Sequence, residues 1–322
     1  MSDQLHILIM SNSIFNVNEY YKNKIMDIVP DANLMIEDAD KITKEIVRKA
    51  DIIYGWPEKE LLKEAENLKW LQLPSAGADG FTNKAIYCNK DIVLTNSSGV
   101  YGLPIAEHVF SMILSYNRYL QEYAYQKKDK QWKVLPAVRD FYGSTIGIIG
   151  LGDIGTEVAK RAKVWGANVL AVKRTITEVP DYVDGLYSLE EIDEVLKQSD
   201  YVVLALPNTE KTRGIISGAR ISKMKPDAFL VNIGRGALID QEALIQALKE
   251  KRIGGAGLDV TTPEPLPEDS PLWELPNVIL TPHTSGLSPS NLIRRFEMFN
   301  RNLKLFVENK PLENQVDFTE GY

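Results

Sequence analysis

Three short segments in the C-terminal half of the chain carry residue types suited to proton transfer and anion binding. Arg235 lies between glycines in VNIGRGALID, Glu264 lies among prolines in LDVTTPEPLP, and His283 follows proline in TPHTSG. Each segment follows an apolar run typical of a buried strand, and the carboxyl ends of parallel strands form the edge where ligands bind. Taken singly, each residue also has a structural explanation, because the histidine could cap a turn and the two charges could be surface charges.

A glycine-rich turn precedes these segments. In GIIGLGDIGTEVAKR, Gly150, Gly152 and Gly155 have the spacing G-x-G-x-x-G between an apolar strand and a helix, a context that predicts dinucleotide binding. The first glycine allows a tight turn, the second lets the backbone approach a pyrophosphate, and the third lets helix and strand pack closely. We expect the N–H groups of Asp153 and Ile154 to face the phosphates. A glycine-rich connector without a ligand is the alternative.

The segment AVKRT follows the second strand of this region. Lys173, Arg174 and Thr175 stand where an acidic residue would accept hydrogen bonds from the ribose hydroxyls of NAD. A guanidinium pairs with a phosphate in bidentate fashion, and a threonine hydroxyl adds a donor. These residues therefore predict a preference for NADP, with NAD as the alternative cofactor. Lysine and arginine are also common as solvated surface residues, which is the simpler explanation.

Composition narrows the classes of partner. The net charge of -7 favours neither nucleic acid nor an anionic membrane. The lone Cys88 and three histidines give little support for a metal site. The N-terminal run LHILIM lacks a basic flank and indicates a first strand rather than a signal peptide. No apolar run reaches the ~20 residues that cross a bilayer, so we expect a cytoplasmic protein.

Apolar runs alternate with helical stretches along most of the chain, which predicts α/β architecture with parallel sheets. The runs at 5–10, 50–56, 68–73 and 91–96 form one series, and STIGIIG opens a second. Residues 103–128 between them have helical periodicity and predict one long helix at an interdomain or subunit interface. We expect a substrate domain at 1–100 plus 288–322 and a dinucleotide-binding domain at 101–287.

The ordered motifs resemble the D-isomer-specific 2-hydroxyacid dehydrogenase family over essentially the whole chain. The resemblance is carried by GLGDIG, LPNTEKTRGII, NIGRGALID, DVTTPEPLP and TPHTSG, with TNSSGVYGLPIAEHVFSMIL and SAGADGF in support. It implies two doubly wound parallel-sheet domains with a cleft between them, a flavodoxin-like substrate domain and a Rossmann dinucleotide-binding domain. It also implies a homodimer. AVKRT departs from the family pattern, in which this position is often acidic, and this departure puts NAD in doubt.

The resemblance also implies roles for individual residues. His283 is the general acid that protonates the carbonyl oxygen of a 2-oxo acid as hydride arrives, and it lies against the nicotinamide. Glu264 orients the imidazole and stabilises its cationic form, and Arg235 binds the substrate carboxylate and polarises the carbonyl. The loop Ser75, Ala76, Gly77 and Ala78 binds the other carboxylate oxygen through its N–H groups. Further cofactor contacts are expected at Pro207, Thr212, Ile233 and Asp259, the last near the carboxamide.

Substrate size is open at this point. Tyr54 and Trp56 follow a strand of the first domain and either line the substrate pocket or belong to the core. If Trp56 faces the substrate, a bulky or apolar 2-oxo acid is expected, while glyoxylate or hydroxypyruvate is the alternative. Arg294 and Met298 on the last helix are weaker candidates for the pocket. Of the other two histidines, His6 is expected to have a packing role, and His108 is expected to be packed or at an interface.

Two other functions fit parts of this pattern. Formate dehydrogenases of the same superfamily resemble it but have glutamine in place of Glu264, and formate oxidation needs no proton transfer by a carboxylate. Corepressors related to the family keep the three catalytic residues and use the dinucleotide to control assembly. The chain has almost nothing beyond the two expected domains, which favours the dehydrogenase.

Overall fold

Strands and helices alternate along the residues that the computed structural model describes, 4–135, 139–176 and 178–321. The strands are β1 (His6–Ser11), β2 (Asn33–Asp38), β3 (Ile52–Tyr54), β4 (Trp70–Gln72), β5 (Val93–Thr95), β6 (Thr145–Ile149), β7 (Asn168–Val172), β8 (Gly185–Tyr187), β9 (Tyr201–Leu204), β10 (Phe229–Asn232), β11 (Gly255–Leu258) and β12 (Val278–Leu280). The helices are α1 (Glu19–Met26), α2 (Lys44–Lys49), α3 (Lys59–Leu62), α4 (Gly102–Asn117), α5 (Leu120–Lys128), α6 (Asp153–Val164), α7 (Ile192–Gln198), α8 (Gly218–Ile221), α9 (Gln241–Lys249) and α10 (Pro289–Val307).

The chain divides into two compact units. The first unit comprises Met1–Tyr101 and Leu287–Tyr322, and the second unit comprises Gly102–Gly286. The first unit contains a parallel sheet in the order β2-β1-β3-β4-β5, which is the flavodoxin-like order. The second unit contains a parallel sheet in the order β12-β11-β10-β9-β6-β7-β8, which is the Rossmann order with one added strand. The predicted fold class, two parallel-sheet α/β domains, is confirmed.

The sheet of the first unit is buried on both faces. Along β1, Ile7 and Ile9 pack on one side while Leu8 and Met10 pack on the other, as the alternation of side chains along a strand requires. Aromatic residues dominate the side covered by α10, where Phe299 stacks on Tyr54 with ring centroids 4.4 Å apart. A continuous apolar run such as LHILIM is what a strand buried on both faces needs.

The helix predicted over residues 103–128 is two helices. α4 ends at Asn117 and α5 begins at Leu120, with Tyr119 between them in the left-handed conformation at φ 55°. The backbone carbonyl of Asn117 accepts a hydrogen bond from the N–H of Arg139 at 3.2 Å, and its side-chain carbonyl accepts one from the Tyr201 hydroxyl at 3.0 Å. These partners end the first helix, so the prediction of a single long helix was wrong.

Candidate active site

The three segments predicted to carry chemistry follow adjacent strands. Asn232, Leu258 and Leu280 are register partners at the carboxyl ends of β10, β11 and β12. Arg235 and His283 each follow three residues after their strands, and Glu264 lies in the loop after β11. The register therefore brings the starting points of all three segments to one edge of the second unit.

His283 and Glu264 form a direct pair. Nδ1 of the imidazole lies 2.8 Å from Oε2 of the carboxylate, and the side chains are 51% and 38% exposed. The other carboxylate oxygen accepts the N–H of Thr261 at 3.2 Å. An ionised carboxylate can only accept hydrogen bonds, so the imidazole carries a proton on Nδ1. Nε2 is then the ring nitrogen that Glu264 does not engage.

The backbone of His283 is held in the left-handed region at φ 53°. Its N–H donates to the carbonyl of Asp259 at 2.8 Å. The carboxylate of the same aspartate accepts the N–H groups of Thr284 at 2.9 Å and Ser285 at 3.1 Å, and the hydroxyl of Thr281 at 2.6 Å. Asp259 therefore fixes the residues on both sides of the histidine.

The environment of Asp259 has two opposing effects on its ionisation. Burial acts to raise the pKa of the carboxyl, but hydrogen bonds from Ser285, Thr281 and the N–H of Thr284 outweigh it and hold the pKa below its ordinary value. No part of the side chain is exposed. In this structure the carboxylate is engaged by the loop that carries His283, and the proximity of Asp259 to a nicotinamide carboxamide stays a prediction.

Arg235 is fixed by the two glycines that flank it. A Cβ on Gly234 would lie 2.7 Å from the carbonyl oxygen of Leu206, and one on Gly236 would lie 2.0 Å from that of Thr261. Glycine is therefore required on both sides, because any side chain would push these backbones apart. The carbonyl of Arg235 accepts a hydrogen bond from the Asn232 side chain at 2.9 Å. The arginine loop thus packs directly on Thr261, whose N–H binds Glu264.

The glycine turn has the geometry of a dinucleotide site. A Cβ on Gly150 would lie 2.7 Å from the carbonyl oxygen of Ala205, and one on Gly155 would lie 2.1 Å from that of Gly150. Internal packing therefore requires these two glycines. A Cβ on Gly152 would meet nothing within 4 Å, so packing within the chain does not explain this glycine. The close approach of a pyrophosphate does explain it.

The start of α6 supports the same conclusion. The first backbone hydrogen bond of this helix is donated by Thr156 to Gly152 at 2.9 Å, so the N–H of Ile154 precedes it, as in any helix N-terminus. The Asp153 carboxylate accepts the N–H of Gly102 at 2.9 Å. The Asp153 side chain therefore holds the beginning of α4, and the contact of its own N–H with phosphate stays a prediction.

The other expected cofactor residues differ in their surroundings. Lys173 is half-buried directly after β7, whereas Arg174, Thr175 and Pro207 are exposed. The buried hydroxyl of Thr212 donates to the carbonyl of Pro207 at 2.6 Å, so it closes its own loop. Ile233 is buried, and its N–H donates to Leu204 at 3.3 Å. The structure thus gives Thr212 and Ile233 packing roles rather than an exposed contact surface.

The loop of residues 75–78 in the first unit presents backbone donors. The Trp56 indole donates to the Ser75 hydroxyl at 3.1 Å, and that hydroxyl donates to the carbonyl of Gly77 at 2.8 Å. The carbonyl of Ala76 accepts the Asn96 side chain at 2.8 Å. Within the described chain, the N–H groups of Ala76, Gly77 and Ala78 donate to no protein acceptor. These three consecutive donors can therefore bind an acceptor supplied by a ligand.

The residues expected around the substrate fall into different environments. Tyr54 is completely buried between Phe15, Phe296 and Phe299, so it is a core aromatic and the prediction that it lines the pocket is not supported. Trp56 contacts the loop of residues 75–78 through the hydroxyl of Ser75. Met298 and Arg294 also pack within the first unit. Met298 is buried, and Nε of Arg294 donates to the carbonyl of Val100 at 3.2 Å.

Sequence reasoning missed one polar network. His108 on α4 lies with Nε2 2.9 Å from the hydroxyl of Thr281, although the two are 173 residues apart in sequence. His6 pairs with Asn33 at 3.1 Å across the edge of the other sheet. No local pattern reveals the first contact, since a histidine on the apolar side of a helix is normally a packing residue. Only the tertiary structure brings it to the His283 loop.

Comparison with known proteins identifies the protein family in which sites of this kind occur. Residues 110–285 match the family model described as D-isomer specific 2-hydroxyacid dehydrogenase, NAD binding domain. The glyoxylate reductase of Korarchaeum cryptofilum is 35% identical over 268 residues, which are 81% of this chain and 79% of the relative.

Solved structures agree over nearly the full length. A family member from Aeromonas salmonicida superposes with a TM-score of 0.87 at 33% identity and covers 98% of this chain and 100% of its own. One from Xanthobacter autotrophicus, in complex with NADPH and MES, superposes with a TM-score of 0.83 at 26% identity over 99% and 100%.

The Rossmann sheet, its glycine turn and these matches together define an NAD(P)-dependent oxidoreductase. The chain belongs to the D-isomer-specific 2-hydroxyacid dehydrogenase family. Within the described residues, no helix combines the length and apolar character needed to cross a membrane. The same residues contain no group of histidine, cysteine, aspartate and glutamate side chains that could hold a metal ion.

The Asp259 network predicts a defined pH dependence of stability. Because its pKa is lowered in the folded state, the carboxylate stabilises the fold above its ordinary value of 3.8, and this contribution is lost as pH falls through the folded value. We expect Asp259→Asn to lower the free energy of unfolding by about 2–4 kcal/mol at pH 7. The difference from wild type should shrink below pH 4, as measured by urea unfolding.

Asp269→Asn is the matched control, since Asp269 is exposed in the same unit. We expect it to unfold like the wild type at every pH. A stability difference for Asp259→Asn that stayed constant from pH 7 to pH 3 would contradict the assignment.

Proposed function

We propose that the protein reduces a 2-oxo acid to the corresponding D-2-hydroxy acid, with His283 as the proton donor and NADPH as the preferred reductant. The observation that carries the proposal is the pair formed by His283 and Glu264, with Nδ1 2.8 Å from Oε2, at the sheet edge that also holds Arg235. The edge belongs to the same Rossmann unit as the glycine turn. Acid–base chemistry and dinucleotide binding therefore share one unit.

The chain's own residues account for the proton and the charge. When bound, the nicotinamide supplies a hydride to the carbonyl carbon. His283 releases its Nε2 proton to the carbonyl oxygen, so the C=O double bond becomes a C–O single bond with one new C–H bond and one new O–H bond, and the imidazole ends neutral. Glu264 stabilises the cationic imidazole before transfer and keeps the remaining proton on Nδ1. In the reverse direction the same Nε2 accepts the hydroxyl proton.

Two groups are proposed to hold the substrate. Arg235 binds the carboxylate and polarises the carbonyl, because a guanidinium stabilises the negative charge that develops on oxygen. The N–H groups of Ala76, Gly77 and Ala78 bind the second carboxylate oxygen. Within the described residues these N–H groups donate to no acceptor of the protein, which supports this role. Trp56 supports this loop through its hydrogen bond to Ser75, whose hydroxyl donates to the carbonyl of Gly77.

We propose a small 2-oxo acid such as glyoxylate or hydroxypyruvate as the substrate. The similarity to an archaeal glyoxylate reductase supports this choice. Trp56 no longer argues for a bulky substrate, since its indole N–H is engaged by Ser75, and Tyr54 is buried in the core. A corepressor-like binding protein keeps the same three residues, and turnover of substrate distinguishes the two functions.

The role of His283 is tested by its removal. His283→Gln is expected to lower kcat about 10²- to 10⁴-fold, since the proton donor is lost. NADPH binding, followed by cofactor fluorescence, should stay near the wild-type value because the glycine turn is intact. The measurement is NADPH oxidation with glyoxylate, hydroxypyruvate, and branched and aromatic 2-oxo acids.

His6→Gln is the matched control, since His6 pairs with Asn33 at the edge of the first unit's sheet, and it should keep full turnover. Full activity of His283→Gln would refute the assigned role. Absence of turnover by the wild type with every acid and either cofactor would refute the dehydrogenase and favour the binding protein.

The preference for NADP is proposed from the position of two cations. The N–H of Lys173 donates to Tyr187 at 3.0 Å, so the residue continues directly from β7, where an acidic residue would bind the ribose of NAD. The related structure that contains NADPH supports this choice. The family model names NAD, so family membership alone does not decide between the cofactors.

Replacing both cations should separate the cofactors. Lys173→Ala with Arg174→Ala is expected to raise the Kd of NADPH at least about tenfold, or ~1.4 kcal/mol, and to leave NADH nearly unchanged. The two Kd values are measured by fluorescence titration. Lys249→Ala with Arg252→Ala, near the end of α9, removes equal charge and should change neither. Equal increases in the Kd values of NADPH and NADH would contradict the proposal and identify Lys173 and Arg174 as ordinary surface charges.

We also propose a homodimer formed through α5 and residues 129–135, which follow it. No residue of α5 is buried in the single chain, and Trp132 is 100% and Val134 89% exposed. Large apolar side chains exposed together mark an interaction surface. A cytoplasmic location and the lack of nucleic-acid or membrane partners stay predictions from composition.

The solution mass tests the dimer. We expect twice the chain mass of 36.2 kDa by light scattering, and a shift toward the single-chain mass for Trp132→Ser with Val134→Ser. Val164→Ser, at a position 84% exposed on α6, should leave the mass unchanged. A wild-type mass equal to one chain would overturn the proposal.

A further inference from the structure

We propose that His108 is a positioning residue for the reaction: its Nε2–H holds the hydroxyl of Thr281, which in turn holds the Asp259 carboxylate beneath the His283 loop. His108 lies on α4 and has 19% of its side chain exposed. The kinetic part of this proposal rests on the proposed function, and its structural part does not.

The direction of each hydrogen bond follows from the chemistry of the groups. The Thr281 hydroxyl has one proton and lies 2.6 Å from Oδ1 of Asp259, and an ionised carboxylate can only accept. That proton therefore points to Asp259. The 2.9 Å contact between Thr281 Oγ1 and His108 Nε2 then needs its proton from the histidine. Nε2 is thus protonated whether the ring is neutral or cationic.

The network reaches the catalytic histidine from both sides. Thr281 lies two residues before His283, and Thr284 and Ser285 follow it, with their N–H groups on the same carboxylate. Nε2 of His108 also lies 3.8 Å from Oδ1 of Asp259, so this N–H group also stabilises the negative charge of the carboxylate directly. Loss of this donor leaves a Thr281 lone pair unsatisfied and frees the hydroxyl to rotate away from Asp259.

The consequence is a loss of geometry rather than of binding. A looser loop places Nε2 of His283 correctly for a smaller fraction of the time, which lowers kcat. The glycine turn and the AVKRT segment belong to other loops of the chain, so the Kd of NADPH should not change. This split distinguishes a positioning residue from one that merely supports the fold.

The test compares variants that keep or remove the donor. His108→Leu is expected to lower kcat about tenfold with an NADPH Kd within about twofold of wild type. His108→Gln, whose amide nitrogen can occupy the position of Nε2, should retain most of kcat. Ser111→Ala is the matched control, since that exposed hydroxyl only donates back to the His108 carbonyl at 2.7 Å on the same helix, and it should behave as wild type.

Thr281 supplies an independent pair of variants if His108→Leu does not fold. Thr281→Val should lower kcat as much as His108→Leu does, whereas Thr281→Ser, which keeps the hydroxyl, should keep kcat near the wild-type value. The double variant His108→Leu with Thr281→Val should be no slower than either single variant. Hydrogen exchange of the N–H groups of Thr284 and Ser285 should be faster in His108→Leu, whether or not the protein turns over 2-oxo acids.

Three outcomes would overturn the proposal. These are equal losses of kcat in His108→Leu and His108→Gln, full additivity of His108→Leu and Thr281→Val, and unchanged exchange at Thr284 and Ser285. If the wild type shows no turnover, the proposed function fails, and the exchange measurement alone decides the role of His108.

Discussion

The buried carboxylate of Asp259 is the interaction on which the geometry of the candidate active site depends. His283 occupies a left-handed backbone conformation at φ 53°, which costs free energy in a residue with a side chain. Asp259 offsets this cost by binding the chain on both sides of the histidine. Because the carboxylate is buried, its charge is stabilised by the protein's own donors rather than by water, and loss of any donor leaves it poorly compensated. The same constraint makes a distant helix residue, His108, relevant to the reaction.

Close approach of backbones is the second constraint, and it explains why glycines surround the chemistry. Gly236 brings the arginine loop against Thr261, and Gly155 brings α6 against the turn at Gly150. In both places a Cβ would overlap a carbonyl oxygen, so packing alone excludes every residue other than glycine at these two positions. Gly152 differs, because its Cβ would meet nothing. Packing within the described chain does not require that glycine, which caps the start of α6, and the close approach of a phosphate would require it.

Sequence periodicity predicted most strands of both sheets and missed one edge strand in each, β2 and β8. β2 (NLMIED) and β8 (GLY) form sheet edges and are at most half-buried, so they lack the apolar run that marks a strand buried on both faces. The break at Tyr119 was missed because its cause, the contacts of Asn117 with Arg139 and Tyr201, is tertiary. Motifs identified the segments of the site, but whether Tyr54 is core or pocket depended on packing against α10, more than two hundred residues later in the chain.

The pair formed by His283 and Glu264 also explains why a carboxylate suits this position better than an amide. A glutamine in place of Glu264 could present either its oxygen or its nitrogen to Nδ1, so it would not fix the tautomer. It also carries no charge to stabilise the imidazolium. A reaction that moves only a hydride tolerates this change, whereas reduction of a ketone must deliver a proton to oxygen in the same event. In the proposed mechanism, the fixed Nδ1 proton leaves Nε2 as the exchanging atom, so a single side chain serves as acid in one direction and as base in the other.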